Sequence, residues 1–175
     1  MLLIVALPAC KGKSAGQSTA SLSTEQVDSA IIKGTFPVMD YAKLLSKADL
    51  DAINKVIIDL DSNHVAQVAV VTTTDLEGKD VHDFATGFGN KWGVGHKDNN
   101  DGITIVIKPK TGDDPEQRGQ AAIATGIGME KILNDEMCKR IIDEIMIPEF
   151  KNNNYGEGIK KALSHIKTTL AKQDK

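Results

Sequence analysis

The pattern of apolar and polar positions predicts strands and helices that alternate along the middle of the chain. Residues 67–73 (QVAVVTT) form a short apolar, β-branched run, which is typical of a buried strand. Apolar side chains then recur at helical spacing from Val81 to Trp92, with Asp80 as the N-cap and Gly93 as the end. Two more strands are predicted at residues 103–107 (ITIVI) and 119–125 (GQAAIAT). The order predicts a βαβ unit followed by a β-hairpin.

Amphipathic helices are predicted on both sides of this unit. Apolar residues at i, i+3 and i+4 between residues 50 and 60 predict a helix before the first strand. A broad apolar face predicts a helix over residues 129–147, and Tyr155 to Leu170 predict a last one. The chain is therefore expected to have an α/β fold with a mixed sheet and C-terminal helices.

Three glycine-rich polar turns are predicted to meet at one edge of this sheet. They are residues 92–95 (WGVG), 98–102 (DNNDG) and 125–130 (TGIGME). The helical crossover makes the first two strands parallel, and the hairpin makes the third antiparallel. The start of the second strand and the end of the third then share an edge, to which the helix ending at Trp92 also leads. The fold is expected to gather the three turns.

Gathered in this way, the turns predict a divalent-cation site, because carboxylates and carbonyls are hard oxygen ligands. The predicted ligands are Asp98, Asp101, Glu130 and Asp135, and the loop positions expected around them are Trp92, Asn100, Gly102, Gly126 and Gly128. Ligand type favours calcium over magnesium. An EF-hand is excluded, because its required Gly and Glu positions hold Ile103 and Pro109.

Two other interpretations of these turns stay open. Asp and Asn side chains commonly hydrogen-bond their own backbone, so residues 98–102 are also compatible with a solvated loop. Gly126 and Gly128, which precede a predicted helix, are compatible with backbone N–H groups that cradle a phosphorylated small molecule.

The order and spacing of these pieces resemble the TPM domain family over roughly residues 38–166. The matching pieces are residues 38–42 (VMDYA), 67–71, 76–78 (LEG), 92–95, 101–102, 125–130, 133–135 (LND), 148–150 (PEF) and 155–158 (YGEG). The resemblance implies a three-layer α/β/α sandwich, a membrane-tethered place outside the cytoplasm, divalent-cation binding and, for some members, acid phosphatase activity. Most relatives carry Tyr where this chain has Ile127, and the loop at residues 97–102 holds an additional Asn.

Composition restricts the remaining possibilities. The chain has 175 residues, 41% of them hydrophobic and 4% aromatic, which suits one domain with an aliphatic core, predicted at residues 35–171 before a short tail at 172–175. The net charge of −3 provides no basic surface for nucleic acid. No stretch has the length of a transmembrane helix.

The N-terminus resembles part of a bacterial lipoprotein signal. Residues 1–10 (MLLIVALPAC) are apolar and end at Cys10, the predicted site of lipidation, although a charged region is missing. Residues 11–34 have the polar, small-residue composition of a flexible tether. The alternative is an apolar N-terminus without such a role. Lipidation would place the protein in the cell envelope, outside the cytoplasm.

Two functions from different classes are compatible with the sequence. One is a cation-binding accessory protein that acts on the assembly or repair of membrane-protein complexes, and the other is a metal-dependent acid phosphatase. Residues 56–62 (VIIDLDS) imitate an aspartate nucleophile motif, but helical spacing places Asp59 and Asp61 near the end of a helix, on a solvated face. Cys138 is predicted to be a small core residue, and His96 a surface loop residue. The accessory function is favoured.

Overall fold

The computed structural model describes residues 37–112 and 118–172. The predictions of a signal at residues 1–10, of lipidation at Cys10 and of a tether at residues 11–34 lie outside the described residues. Within the described ranges, no helix is both long and apolar enough to cross a membrane.

A mixed four-stranded sheet forms the centre of the domain. Its strands are β1 (Met39–Asp40), β2 (Gln67–Thr72), β3 (Gly102–Lys108) and β4 (Gln120–Thr125), in that spatial order. The first three strands are parallel, and β4 pairs antiparallel with β3. The predicted βαβ unit and hairpin are confirmed. The sequence pattern missed β1, because two residues are too short for a detectable alternation.

Helices cover both faces of the sheet. They are α1 (Lys47–Ser62), α2 (Val81–Trp92), α3 (Asp135–Arg140), α4 (Ile147–Phe150) and α5 (Tyr155–Leu170), with a π-helical segment at Ile141–Met146 between α3 and α4. Helix α2 packs on one face, in the core that contains Val71 and Ala85. The other helices pack on the opposite face, in the core that contains Ile57, Val70 and Leu163. The predicted α/β fold, with helices in layers on both sides of a mixed sheet, is confirmed.

Side-chain caps fix where the helices begin. The Asp80 carboxylate accepts a hydrogen bond from the His82 N–H at the start of α2, as predicted. The Asn134 side chain caps α3 by accepting from the Met137 N–H. The predicted helix start at Met129 is therefore wrong. Residues 126–133 instead form turns, in which buried Met129 and Leu133 imitate the apolar spacing of a helix.

Candidate functional site

The three predicted turns meet at the edge where β2 and β3 begin and β4 ends. The Gly126 N–H donates to the Gly102 carbonyl at 2.8 Å, and the Gly128 N–H donates to the Asn100 carbonyl at 3.1 Å. The turn after α2 joins them, because a Cβ atom on Gly95 would lie 2.7 Å from the Gly102 nitrogen. We call residues 93–95, 98–101 and 126–130 the turn cluster. Its predicted convergence is confirmed.

The turn cluster is packed backbone against backbone, which explains its glycines. A Cβ atom on Gly128 would lie 1.9 Å from the Asn99 carbonyl oxygen, and one on Gly126 would lie 2.2 Å from that of Asn100. Real Cβ atoms do not approach oxygen so closely, so these positions exclude a side chain. Gly102, at the start of β3, is as confined, because its Cβ would lie 2.1 Å from the Val94 carbonyl oxygen.

Asp101 is the buried carboxylate at the centre of the cluster, with 1% of its surface exposed. Its Oδ1 accepts a hydrogen bond from the His96 N–H at 2.7 Å, and its Oδ2 lies 2.9 Å from the His96 ring Nδ1. The Asn99 amide makes a longer contact of 3.4 Å with Oδ2. Both oxygens of Asp101 therefore have protein partners in this conformation.

His96 lies between two carboxylates. Its ring Nε2 is 3.3 Å from Oδ1 of Asp61, on the side away from Asp101. Asp61 is near the end of α1, so the imidazole connects that helix to the loop before β3. The His64 ring contributes a tilted contact at a centroid distance of 5.3 Å. The prediction that Asp61 belongs to a solvated face is wrong, because its side chain is 19% exposed and contacts His96.

Gln67, the first residue of β2, adds a second connection between the same elements. Its side-chain carbonyl accepts a hydrogen bond from the Gly95 N–H at 2.8 Å, and its amide donates to Asp61 at 3.2 Å. The Gln67 N–H donates to the Asp101 carbonyl. One buried amide side chain thus holds the turn after α2 against the end of α1.

The other predicted ligands lie at the surface. Asp98 is exposed in the loop before β3, Glu130 is exposed in the turn after β4, and Asp135 is the exposed first residue of α3. Asp135 lines a cleft beside β4 together with Cys138 and Lys139. Among residues 37–112 and 118–172, no three His, Cys, Asp or Glu side chains form a group that could hold a metal ion. The four-ligand cation site remains a prediction.

Trp92 and Asn100, which were predicted to lie around the cation site, each have a structural role. Trp92 packs against Phe88 with ring centroids 6.0 Å apart, in the core between α2 and the sheet. Asn100 has a positive φ of 51°, a conformation that Asn tolerates better than most residues. Both residues shape the cluster.

Sequence reasoning missed the roles of Asp61, His96 and Gln67. The position of Asp61 was a usable signal. It lies at the end of a predicted helix, a few residues before the strand that begins at the turn cluster. Helix end and strand start must lie near each other when the connection is short. Histidine in a loop carries no such local signal, and its partners are identified only by the fold.

The thiol of Cys138 is buried, as predicted, and it has no disulfide partner among the described residues. Burial raises its pKa from an ordinary value of 9.0 to about 11, and the nearby charge of Asp135 adds to this shift. The neutral thiol is a poor nucleophile. Cys138 is therefore a packing residue on α3.

These features define the class of protein. It is an α/β domain with a mixed sheet, helices on both faces and a cluster of polar, glycine-rich loops at one sheet edge. The family model described as the TPM domain matches residues 38–169. The chain belongs to the TPM domain family, as the sequence motifs predicted.

Three solved structures share this fold. The solution NMR structure of the N-terminal domain of a P. gingivalis protein is 29% identical, covers 85% of this chain and 91% of that one, and has a TM-score of 0.69. The N-terminal domain of the cg2496 protein from Corynebacterium glutamicum is 13% identical, over 79% of this chain and 80% of that one, with a TM-score of 0.56. The BA42 protein from Bizionia argentinensis is 19% identical, over 73% and 82%, with a TM-score of 0.56. No curated protein matches the chain.

Proposed function

We propose that this TPM domain binds a divalent cation, calcium in preference to magnesium, at the turn cluster, and that it serves as a membrane-tethered accessory protein outside the cytoplasm. The observation that carries the proposal is the buried Asp101 carboxylate where three turns meet. Asp98, Glu130 and the loop carbonyls supply further oxygen atoms of the type that calcium prefers.

The donor chemistry fits calcium, but the donors are not assembled in the conformation described above. His96 and Asn99 engage both oxygens of Asp101, so a cation has to displace at least one of these contacts. Loop residues 97–100 are exposed, which leaves room for them to move. Cation binding is therefore expected to loosen the connection between His96 and Asp101.

The experiment is a titration of the full chain with calcium and then with magnesium, followed residue by residue through backbone amide shifts. We expect saturable shifts at residues 96–102 and 126–130, with tighter binding of calcium. Asp98→Asn, Asp101→Asn and Glu130→Gln should each weaken calcium binding at least about tenfold. Asp135→Asn tests the fourth predicted ligand separately, because Asp135 lines the cleft beside β4.

The matched control is Asp51→Asn, which removes an exposed carboxylate near the start of α1. Ten residues of helix separate Asp51 from Asp61, or about 15 Å. The control should bind calcium as the unchanged chain does. Unchanged calcium affinity in Asp98→Asn, Asp101→Asn and Glu130→Gln, or shifts that never saturate, would contradict the proposal.

The tether and the accessory role rest on the N-terminal sequence and on family resemblance. Lipidation at Cys10 would anchor the domain to a membrane, where a membrane-protein complex is the expected partner. Membrane fractionation of the unchanged chain and of Cys10→Ser tests the anchor. We expect the unchanged chain in the membrane fraction and the variant outside it. Equal distribution of the two proteins would contradict the anchor.

The alternative of a metal-dependent acid phosphatase has less support. Cys138 is a buried neutral thiol, so hydrolysis would depend on a bound cation that activates water. Turnover of p-nitrophenyl phosphate by the calcium and magnesium forms tests it. If the unchanged chain keeps its activity through repeated purification and the Asp101→Asn variant lacks it, the domain is a phosphatase and not a purely accessory protein.

A further inference from the structure

Along the β4 edge of the sheet, some backbone groups have no partner among the described residues. β4 pairs with β3 on one side, and no described strand pairs with its other side. Because the Gly126 N–H bonds to Gly102 directly opposite, alternate residues back along β4 also bond to β3. The residues between them, Ala121 and Ile123, therefore direct their N–H and C=O groups away from β3. These groups have no backbone partner within the described ranges.

A cleft of about 410 Å³ follows this edge. One wall is the start of α2, at Val81 and His82, and the other is α3 with the π-helical segment after it, at Asp135 and Asp143. Its floor is residues 121–123 of β4. Since the walls belong to opposite layers of the sandwich, the cleft opens along the strand edge. The small side chains of the two alanines in the floor leave space for the side chains of another strand.

The charges around the cleft favour a cationic ligand. Two carboxylates, Asp135 and Asp143, line it together with one ammonium group, that of Lys139. Lys139 forms an ion pair with Asp143. Asp135 has no ion-pair partner among the described residues, although its carboxylate is close enough to raise the pKa of Cys138. A positive side chain on a ligand would complement Asp135.

The opposite edge of the sheet lacks these features. β1 contains two residues, and the chain turns away directly after it. The Asp40 carboxylate fixes that turn by accepting hydrogen bonds from the Leu44 and Leu45 N–H groups, both at 3.0 Å. A short strand that ends in a fixed turn is a poor template for another strand. The six-residue β4 is the better one.

We propose that the β4 edge is a docking site for an extended segment of a partner protein, which adds to the sheet as a fifth strand and places a Lys or Arg side chain against Asp135. Backbone hydrogen bonds to Ala121 and Ile123 supply affinity, and the cleft walls and Asp135 supply specificity. Of the predicted cation ligands only Asp135 belongs to this site, and the test is made with excess EDTA so that cation binding and peptide binding are measured apart.

The test uses two acetylated and amidated five-residue peptides, threonine-valine-lysine-valine-threonine and its counterpart with glutamate at the centre. Each is titrated into the full chain with excess EDTA, and backbone amide shifts are followed. We expect saturable shifts at residues 121–125, 81–82 and 135–143, and at least about threefold tighter binding of the lysine peptide. A lysine peptide with N-methylated valines, which cannot complete the strand pairing, should not bind.

Two variants test the contacts. Ala121→Pro removes an N–H that faces away from β3, so the pairing of β4 with β3 remains while peptide binding is lost. Ala121→Ser keeps the N–H and is the matched control for binding. Asp135→Asn should keep the fold and bring the affinities of the lysine and glutamate peptides to within about twofold of each other. Thermal unfolding of each variant confirms that the domain is folded.

Three outcomes would overturn the proposal. The first is equal binding of the lysine and glutamate peptides to the unchanged chain, or no saturable binding of either. The second is a set of cross-strand nuclear Overhauser effects between β4 and residues 1–36 in the free chain, which would make the chain's own N-terminal segment the occupant. The third is a dimer in sedimentation that Ala121→Pro dissociates, which would make a second copy the occupant.

Discussion

The imidazole of His96 lies with Nδ1 at 2.9 Å from the buried carboxylate of Asp101, and the same residue donates its backbone N–H to that carboxylate at 2.7 Å. One residue thus satisfies both oxygens of a carboxylate that is 1% exposed. A buried carboxylate without such partners would be strongly destabilising. The stability of the turn cluster therefore depends on His96.

Replacing His96 by alanine removes the ring contact with Asp101 and leaves part of a buried carboxylate unsatisfied. We expect His96→Ala to lower the free energy of unfolding by about 1–3 kcal/mol in urea titrations. The matched control is His165→Ala, an exposed position on α5, which should change it by less than about 0.5 kcal/mol. Equal effects of the two substitutions would show that the contact with Asp101 contributes nothing.

A side chain at Gly128 should force the turn cluster apart. The added Cβ of Gly128→Ala would lie 1.9 Å from the Asn99 carbonyl oxygen, so the backbone has to move. We expect a loss of at least about 1–3 kcal/mol in the free energy of unfolding. The matched control is Gly87→Ala in α2, where the added methyl meets no atom within 4 Å.

Gly87→Ala should instead stabilise the domain by about 0.5–1 kcal/mol, because alanine is the better helix former. Opposite signs for the two glycine substitutions are the expected result. A Gly128→Ala variant as stable as the unchanged chain would mean that the turns at residues 98–101 and 126–130 separate easily.

The raised pKa of Cys138 predicts a loss of stability at alkaline pH. The unfolded thiol ionises near pH 9.0 and the folded one near 11, so the folded state favours the neutral thiol. This contribution is fully present below pH 9 and is lost as the pH rises through about 11. Cys138→Ala should show a shallower fall in the free energy of unfolding between about pH 8 and pH 10.5.

The comparison is made in a Cys10→Ser background, in which Cys138 is the remaining thiol. The raised pKa values of Lys160 and Lys161, which come first from hydrogen bonds with Glu157 and Glu149, also affect the alkaline range. Both lysines are present with and without Cys138→Ala, so their contributions cancel in the difference between the two proteins. Rapid reaction of Cys138 with a disulfide reagent in the native protein at about pH 8 would contradict its burial.

Helix ends were predictable from the sequence where a capping residue or a glycine determines them. Helix α2 runs from the Asp80 cap to Gly93, whose left-handed conformation ends it, and both residues are recognisable in the sequence. Met129 led to a wrong helix start, since an apolar residue buried in a turn has the same spacing as one on a helix face. The cap at Asn134 was the stronger signal for where α3 begins.

The candidate site was predictable in its location and less so in its contacts. Strand direction alone brought residues 98–102 and 125–130 to one edge, which the hydrogen bonds confirm. The contacts around Asp101 were not predictable, because His96 comes from a loop and Asp61 from a helix, and the orientations of both depend on the whole fold. These contacts are determined by three-dimensional packing and not by spacing along the chain.

Ile127 projects from the turn cluster with 77% of its surface exposed, between two glycines that are held by backbone contacts. The shape of the turn is set by Gly126 and Gly128, so the identity of the residue at its tip has little effect on folding. The side chain at position 127 can therefore change while the backbone of residues 126–128 keeps its conformation. A substitution at position 127 is expected to change the free energy of unfolding by less than about 0.5 kcal/mol.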